Sequence, residues 1–283
     1  MKKIVQRLLV FAIGLPLIVG IVVFLPYHNH LALNLLVILF SALGAVEFAA
    51  ILGRKGITCL PAEAAILGAL APAAMTVLNS FGWEGQVFSA VLILGACWVL
   101  LSRIFCSAEG LKDYTERSAA GFSVMLYPGL FMACMVRMTA LPRSEMVVLA
   151  FLLIVFANDS AAWAVGMLLG RGSRGIIPAS PNKSIAGYIG GIAASILVGV
   201  AAEIFVGPVF VTRLSPASLG GIVIGLCTGI AANLGDLAES AMKRSSGIKD
   251  SGTLIPGRGG VLDSIDSVSL AAPVFYILYR IIF

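Results

Sequence analysis

Residues 217–243 read ASLGGIVIGLCTGIAANLGDLAESAMK, and this stretch decides the fold. Its first part is apolar and carries Gly221, Gly225 and Gly229 at four-residue spacing. Such a face lets a second helix backbone approach closely inside a membrane. Steps of three or four along the same face reach Asn233, Asp236, Ser240 and Lys243. A helix that is glycine-lined and greasy at one end, with a polar stripe in register at the other, reads as a membrane span emerging into water.

The rest of the chain agrees. Of its 283 residues, 59% are hydrophobic and 12% charged, against about 25% charged in an average soluble domain. Disorder, a collagen-like chain, a disulfide scaffold and an ordinary cytosolic enzyme are excluded, which leaves a polytopic membrane protein. Apolar stretches near 4–25, 31–52, 61–80, 87–102, 119–141, 145–170, 185–211, 217–238 and 268–283 predict an all-α fold of about nine transmembrane helices. Turn chemistry marks the breaks at Pro26, Gly53, Pro61, Gly82, Pro142, Pro208 and Pro216. The first span follows Met1-Lys2-Lys3 but is long and lacks an A-x-A site, so it reads as a retained anchor. Cys59, Cys97, Cys106, Cys134 and Cys227 form no C-x-x-C pair, so neither a metal knot nor a disulfide framework is signalled.

With the N-terminus in the cytoplasm, all but Arg137, Arg143, Arg213 and Arg280 of the 19 basic residues fall on the cytoplasmic side. This satisfies the positive-inside rule and puts the C-terminus outside. The net charge of +5 then needs no nucleic-acid partner. No internal repeat stands out. Residues 1–140 read as plain transmembrane scaffold, and 141–283 as the half that carries a cytoplasm-facing site. Two polar, Gly-rich segments, 170–184 and 239–267, mark that half, and the second is long for a helix-to-helix connection.

Four carboxylates fall inside the expected spans: Glu47, Asp159, Glu203 and Asp236. Each costs roughly 2.5–3.5 kcal/mol on insertion scales and needs a reason to be there. Glu47 and Glu203 are isolated in sequence and read as helix-packing carboxylates outside any site. Asp159 stands in Asn158-Asp159-Ser160, which reads as a polar site wall or as a structural hydrogen-bond knot. Glu239 and Lys243 are four apart, the spacing of a pair on a solvated helix end.

Downstream come Lys243-Arg244, Lys249-Asp250, Pro256-Gly257-Arg258-Gly259-Gly260 and Asp263-Ser264-Ile265-Asp266. Acids interleaved with cations suit phosphate chemistry on a divalent metal. Carboxylates hold Mg²⁺, while cations and backbone N–H groups neutralise the phosphates. Ser180-Pro181-Asn182-Lys183-Ser184, just before a helix, offers hydroxyls, a cation and helix-start N–H groups to an anion, or simply caps the helix. There is no H-E-x-x-H, G-x-S-x-G or Walker loop. His28 and His30 lie on the opposite side, which argues against histidine acid–base chemistry.

Ser240-x-x-Lys243-Arg244-x₄-Lys249-Asp250 followed by Pro256-Gly257-x-Gly259-Gly260-x-x-Asp263-x-x-Asp266 resembles the C-terminal pattern of the phosphatidate cytidylyltransferases, or CDP-diacylglycerol synthases. Asn158-Asp159-Ser160, Ser180-Pro181-x-Lys183 and Gly235-Asp236-x-x-Glu239-Ser240 agree with it. The resemblance covers about residues 155–270 by motif and the rest by hydropathy. This chain departs at Arg258, where the family has His, at Ser264, where it has Arg, and at Ile185 and Ala186, where it has an aromatic and a Glu. The resemblance implies CTP and phosphatidate as substrates among membrane lipids, with CDP-diacylglycerol and pyrophosphate as products. It implies Mg²⁺, and allows a second cation and a homodimer.

It also implies that Asp236 and Asp263 hold the metal, and that Lys243, Arg244 and Lys249 grip phosphates. Ser180 and Lys183 then contact nucleotide or lipid phosphate, and Asn158 and Asp159 line the cavity. Arg258 takes a phosphate contact, since an arginine stays protonated and cannot act as a base. The location implied is the cell inner membrane. A CTP-dependent polyprenol or dolichol kinase-like enzyme, a transporter and a member that has lost activity stand as alternatives. One-sided placement of the polar residues, without an inverted repeat, argues against the transporter.

The topology has a direct test. Single cysteines placed between residues 245 and 255 should resist a membrane-impermeant maleimide in intact cells; labelling there would reverse the orientation.

Overall fold

A computed structural model of the chain describes residues 2–83, 85–104, 111–207, 209–216 and 218–283, with side chains from residue 12 onward. Cys106, Pro208 and the side chains of Lys2, Lys3 and Arg7 lie outside the described residues. Among those described, nine helices and no strand are found: α1 Lys2–Phe24, α2 Tyr27–Gly53, α3 Pro61–Phe81, α4 Gly85–Leu101, α5 Tyr114–Met138, α6 Ser144–Leu169, α7 Ile185–Phe205, α8 Leu219–Ser245 and α9 Leu262–Ile282. The protein is an all-α, multi-pass membrane protein. Seven of the helices, α2, α3 and α5 to α9, are long and apolar enough to cross a membrane. The nine helices match the expected number, and the described apolar parts of the other two are Ala12–Phe24 of α1 and Gly85–Leu101 of α4.

Three boundaries differ from the hydropathy reading, each for a physical reason. Helix α8 does not stop near residue 238 but runs to Ser245, because its polar residues pair along the helix. Lys243 is ion-paired with Glu239, and Ser240 Oγ donates to Asp236 Oδ1 at 3.5 Å. Helix α9 starts at Leu262 rather than 268, because its first N–H groups find acceptors, as described below. The polar connection is therefore 246–261 rather than 239–267. Helix α7 ends at Phe205 rather than 211, before Gly207.

The chain forms two compact units. The first is Met1–Ala140 with Ser245–Ile265, and the second is Leu141–Arg244 with Asp266–Phe283. The connection after α8 groups with the first 140 residues.

In the first unit, α2, α3 and α5 meet at small residues. A methyl on Gly68 would strike the Ser41 carbonyl and Ala45, and one on Gly129 would come within 3.0 Å of the Gly68 carbonyl. Helix α5 widens into a π-helical turn over Met125–Leu130, around Pro128. Proline has no N–H to give the ladder, and a local widening absorbs the defect.

In the second unit the glycine face read from the sequence is used in full. Gly221 and Gly225 of α8 pack on Gly199 and on the Ser195 carbonyl of α7, and Gly229 packs on the Ser195 side chain. Gly187, Gly190 and Gly191 of α7 bring it onto α6 in the same way. Gly235 lets α8 press on the Asp266 carbonyl of α9. Phe151 of α6 and Phe275 of α9 fill the space between their helices, with ring centroids 5.2 Å apart. Lipid solvates helices as well as Leu does, so close backbone packing of this kind holds the unit together.

A side chain at Gly225 should therefore be costly. Its Cβ would lie 2.7 Å from Ile196 Cα, backbone that cannot yield. Gly225→Val should lower stability in detergent by about 1–3 kcal/mol through overpacking. Gly53→Ala, which meets nothing within 4 Å, should leave the melting temperature unchanged.

Candidate functional site

The second unit gathers charge where α8 leaves the glycine-packed region. Lys183, in the turn before α7, is ion-paired with Asp236 Oδ2 of α8. Its ammonium also lies 5.6 Å from the ring centre of Tyr188. Burial pushes the Lys183 pKa below its ordinary value; the carboxylates of Asp266, Asp159 and Glu239 oppose that shift, and Lys243 adds to it. One cation thus sits in the field of carboxylates from α6, α8 and α9. Asp159 accepts from Ser267 Oγ at 3.3 Å, which ties the middle of α6 to the second turn of α9.

Lys183 owes its position to local chain chemistry. The Lys183 N–H donates to the Ser180 carbonyl at 3.1 Å, closing a turn. Ser184 then caps α7 by accepting from the Gly187 N–H at 3.1 Å. Gly166, Gly170 and Gly187 leave the space in which that cap sits. The capping reading of Ser180–Ser184 is thus met by Ser184, next to Lys183.

Two expected contributors also hold helices in place. Asn158 is 0% exposed and donates from Nδ2 to the Gly229 carbonyl at 2.8 Å. It clamps α6 to α8, because an amide in an apolar helix contact satisfies the nearest backbone group. Lys243 is 9% exposed and paired with Glu239, which is 0% exposed. The expected pair on a solvated helix end is instead a buried one, and Lys243 is held rather than reaching outward. Arg244, Lys249 and Arg258 are exposed cations, and Ser180 is half-buried.

Asp263 belongs to the first unit, in the first turn of α9. Its Oδ2 accepts from the Ser251 N–H at 2.9 Å, the Ser251 hydroxyl at 2.9 Å and the Gly260 N–H at 2.7 Å. The loop before it contains a tight hairpin. Ile255 and Gly259 exchange backbone hydrogen bonds, and Arg258 N–H donates to the Ile255 carbonyl. Pro256 and Gly257 occupy the corner, with Gly257 at φ +78°. Proline followed by a positive-φ glycine is the signature of a type II turn.

The sequence reading missed three residues around these acids. Asp266 was visible in the motif, one helical turn after Asp263, but had no role attached. Ser251 carried no signal. Glu47, set aside as an isolated helix-packing acid, accepts from the Val261 N–H at 3.0 Å, the Leu262 N–H at 2.8 Å and the Ser251 hydroxyl at 2.9 Å. Glu203 is explained similarly, as it accepts from the Gly221 N–H of α8 at 2.6 Å. Glu47 is buried and Glu203 half-buried, and both satisfy helix-start donors. Among the described residues, no group of three or more His, Cys, Asp or Glu side chains is arranged to hold a metal ion by itself.

Comparison with known proteins agrees with the pattern of these residues. The chain is 38% identical over 135 residues to a phosphatidate cytidylyltransferase of Synechocystis, covering 48% of this chain and 43% of that protein. It is 41% identical over 129 residues to a phosphatidate cytidylyltransferase of Haemophilus influenzae, covering 45% and 43%. It is 38% identical over 144 residues to the uncharacterized protein YnbB of Escherichia coli, covering 50% and 45%. The chain thus spans less than half the length of these curated relatives. Residues 5–282 match the cytidylyltransferase family as a whole, and with that span the chain belongs to the cytidylyltransferase family.

Proposed function

We propose that the protein transfers the cytidylyl group of CTP to phosphatidate, giving CDP-diacylglycerol and pyrophosphate. It does so in the cell inner membrane with the 246–261 connection facing the cytoplasm. The observation that carries this reading is Lys183 held by Asp236 in the field of Asp159, Asp266 and Glu239. Membership of the cytidylyltransferase family and the names of the relatives support it.

The lipid phosphate oxygen attacks the α-phosphorus of CTP, and the bond from that phosphorus to the bridging oxygen of the β-phosphate breaks. The nucleophile is already an anion, so no general base is needed. The difficulty is bringing two polyanions together and receiving the charge of the leaving pyrophosphate, which is a matter of orientation and fixed cations. Lys183 supplies one cation, and it can exchange the Asp236 carboxylate for phosphate oxygens. The exposed Arg244, Lys249 and Arg258 supply others. Lys243, paired with Glu239, anchors the end of α8.

Mg²⁺ fits the donor chemistry: the acids offer hard oxygens and already gather around a cation. It takes only one or two protein carboxylates and shares phosphate oxygens. Asp236 and Asp263 are the proposed ligands, each within its own unit. When bound, the metal would neutralise phosphate charge and orient the leaving group.

Purified protein with labelled CTP, phosphatidate and Mg²⁺ should yield lipid-soluble cytidine and pyrophosphate; release of CDP would indicate a kinase instead. Asp236→Asn should lower turnover by roughly a factor of 10² or more at unchanged melting temperature. Near-normal turnover of that variant at saturating Mg²⁺ would overturn the assignment.

Arg258 has its own series. Arg258→Ala should be less active than Arg258→Lys, which keeps the charge, or Arg258→His, which restores the residue usual in the family. Full activity of all three would reduce the position to a turn element.

A further inference from the structure

We infer that Glu47, on α2 in the N-terminal half of the chain, is the positioning residue for Asp263 and for the loop that carries the phosphate-binding cations. This rests on the proposed cytidylyl transfer for its catalytic consequence, but not for its structural content.

Glu47 is 8% exposed and lies six residues before the end of an apolar helix, a costly place for a carboxylate. Its surroundings answer that cost. Oε1 takes the Val261 N–H, and Oε2 takes the Leu262 N–H and the Ser251 hydroxyl. Val261 and Leu262 open α9, whose first N–H groups have no partner within the helix. Glu47 is thus an N-cap supplied from another helix. Its charge faces the positive end of the α9 dipole, and its hydrogen bonds are of the strong, charge-assisted kind.

The loop is shaped around this carboxylate. A methyl on Gly252 or on Gly260 would strike the Glu47 carboxylate, so both must be glycine for Glu47 to reach the N–H groups. This gives the second glycine of Gly259-Gly260 a steric duty distinct from turn formation. Ser251 then links the two acids: its hydroxyl is 2.9 Å from Glu47 Oε2 and 2.9 Å from Asp263 Oδ2, and its N–H holds the same Asp263 oxygen. A single hydroxyl proton serves one acceptor at a time, so Glu47 and Asp263 compete for it and the Ser251 N–H secures Asp263 throughout. The rotamer of Asp263 and the path of residues 251–262 therefore depend on a residue more than 200 positions earlier in the chain.

Glu47→Gln is the sharp test, because it keeps the shape. A carboxylate accepts from all three donors, whereas an amide turns an NH₂ group toward one of them. In the full-length protein in detergent, amide hydrogen exchange over 251–262 should accelerate about tenfold or more, the loss expected for a charge-assisted hydrogen bond. The kcat for lipid-soluble cytidine should fall by a similar factor, about tenfold, with KM for CTP changed less than about twofold. Gly260→Ala, with Glu47 intact, should open the same amides.

Glu203→Gln removes the matching cap on α8 and should lower the melting temperature without changing exchange at 251–262 or kcat. Unchanged exchange at 251–262 in Glu47→Gln would overturn the inference. So would an equal loss of kcat in Glu203→Gln, which would make the effect one of general stability. The exchange measurement needs no substrate. If wild-type protein makes no lipid-soluble cytidine, the proposed function fails while the loop result still decides the role of Glu47.

Discussion

A carboxylate buried or half-buried in an apolar bundle must be met by donors or by a cation, and this requirement organises both units. Glu47 and Glu203 are met by backbone N–H groups at the starts of α9 and α8. Asp236 is met by Lys183, Glu239 by Lys243, and Asp159 by Ser267. Helix starts and buried acids are complementary liabilities, since each carries an unmet electrostatic demand in a low-dielectric setting. Joining them turns two costs into a fixed contact and sets where α8 and α9 begin.

The second constraint is close approach. In a membrane the apolar side chains of helices gain little from leaving lipid, so cohesion comes from backbone contact at small residues. Gly199, Gly221 and Gly225 bring α7 and α8 together, and Gly235 brings α8 onto α9. That packing is what makes the positions of Asp236, Asp159, Asp266 and Lys183 rigid enough to hold an ion pair among like charges. Glycines in the loop act differently, clearing room for a single carboxylate at Gly252 and Gly260 and allowing a positive φ at Gly257.

Together these constraints explain why the cations divide into two kinds. Lys183 and Lys243 are ion-paired with acids, whereas the side chains of Arg244, Lys249 and Arg258 are exposed. Within the second unit, the paired cations offset the repulsion among its carboxylates.

Much of this was legible in the sequence because its signals are local. Apolar length marked the helices, the four-residue glycine spacing marked the α7-facing side of α8, and the ordered Lys, Arg, Gly and Asp pattern marked the family. Helix ends were misplaced because hydropathy registers polar residues as loop, while Glu239–Lys243 pairing and the capping of α9 keep them helical. The helix-clamping bond of Asn158 was not legible, since only packing says which backbone carbonyl an amide meets. Glu47 looked isolated for the same reason. Its partners lie more than 200 residues away, so no spacing or periodicity could connect them, and only the tertiary fold decides which helix start a buried carboxylate will cap.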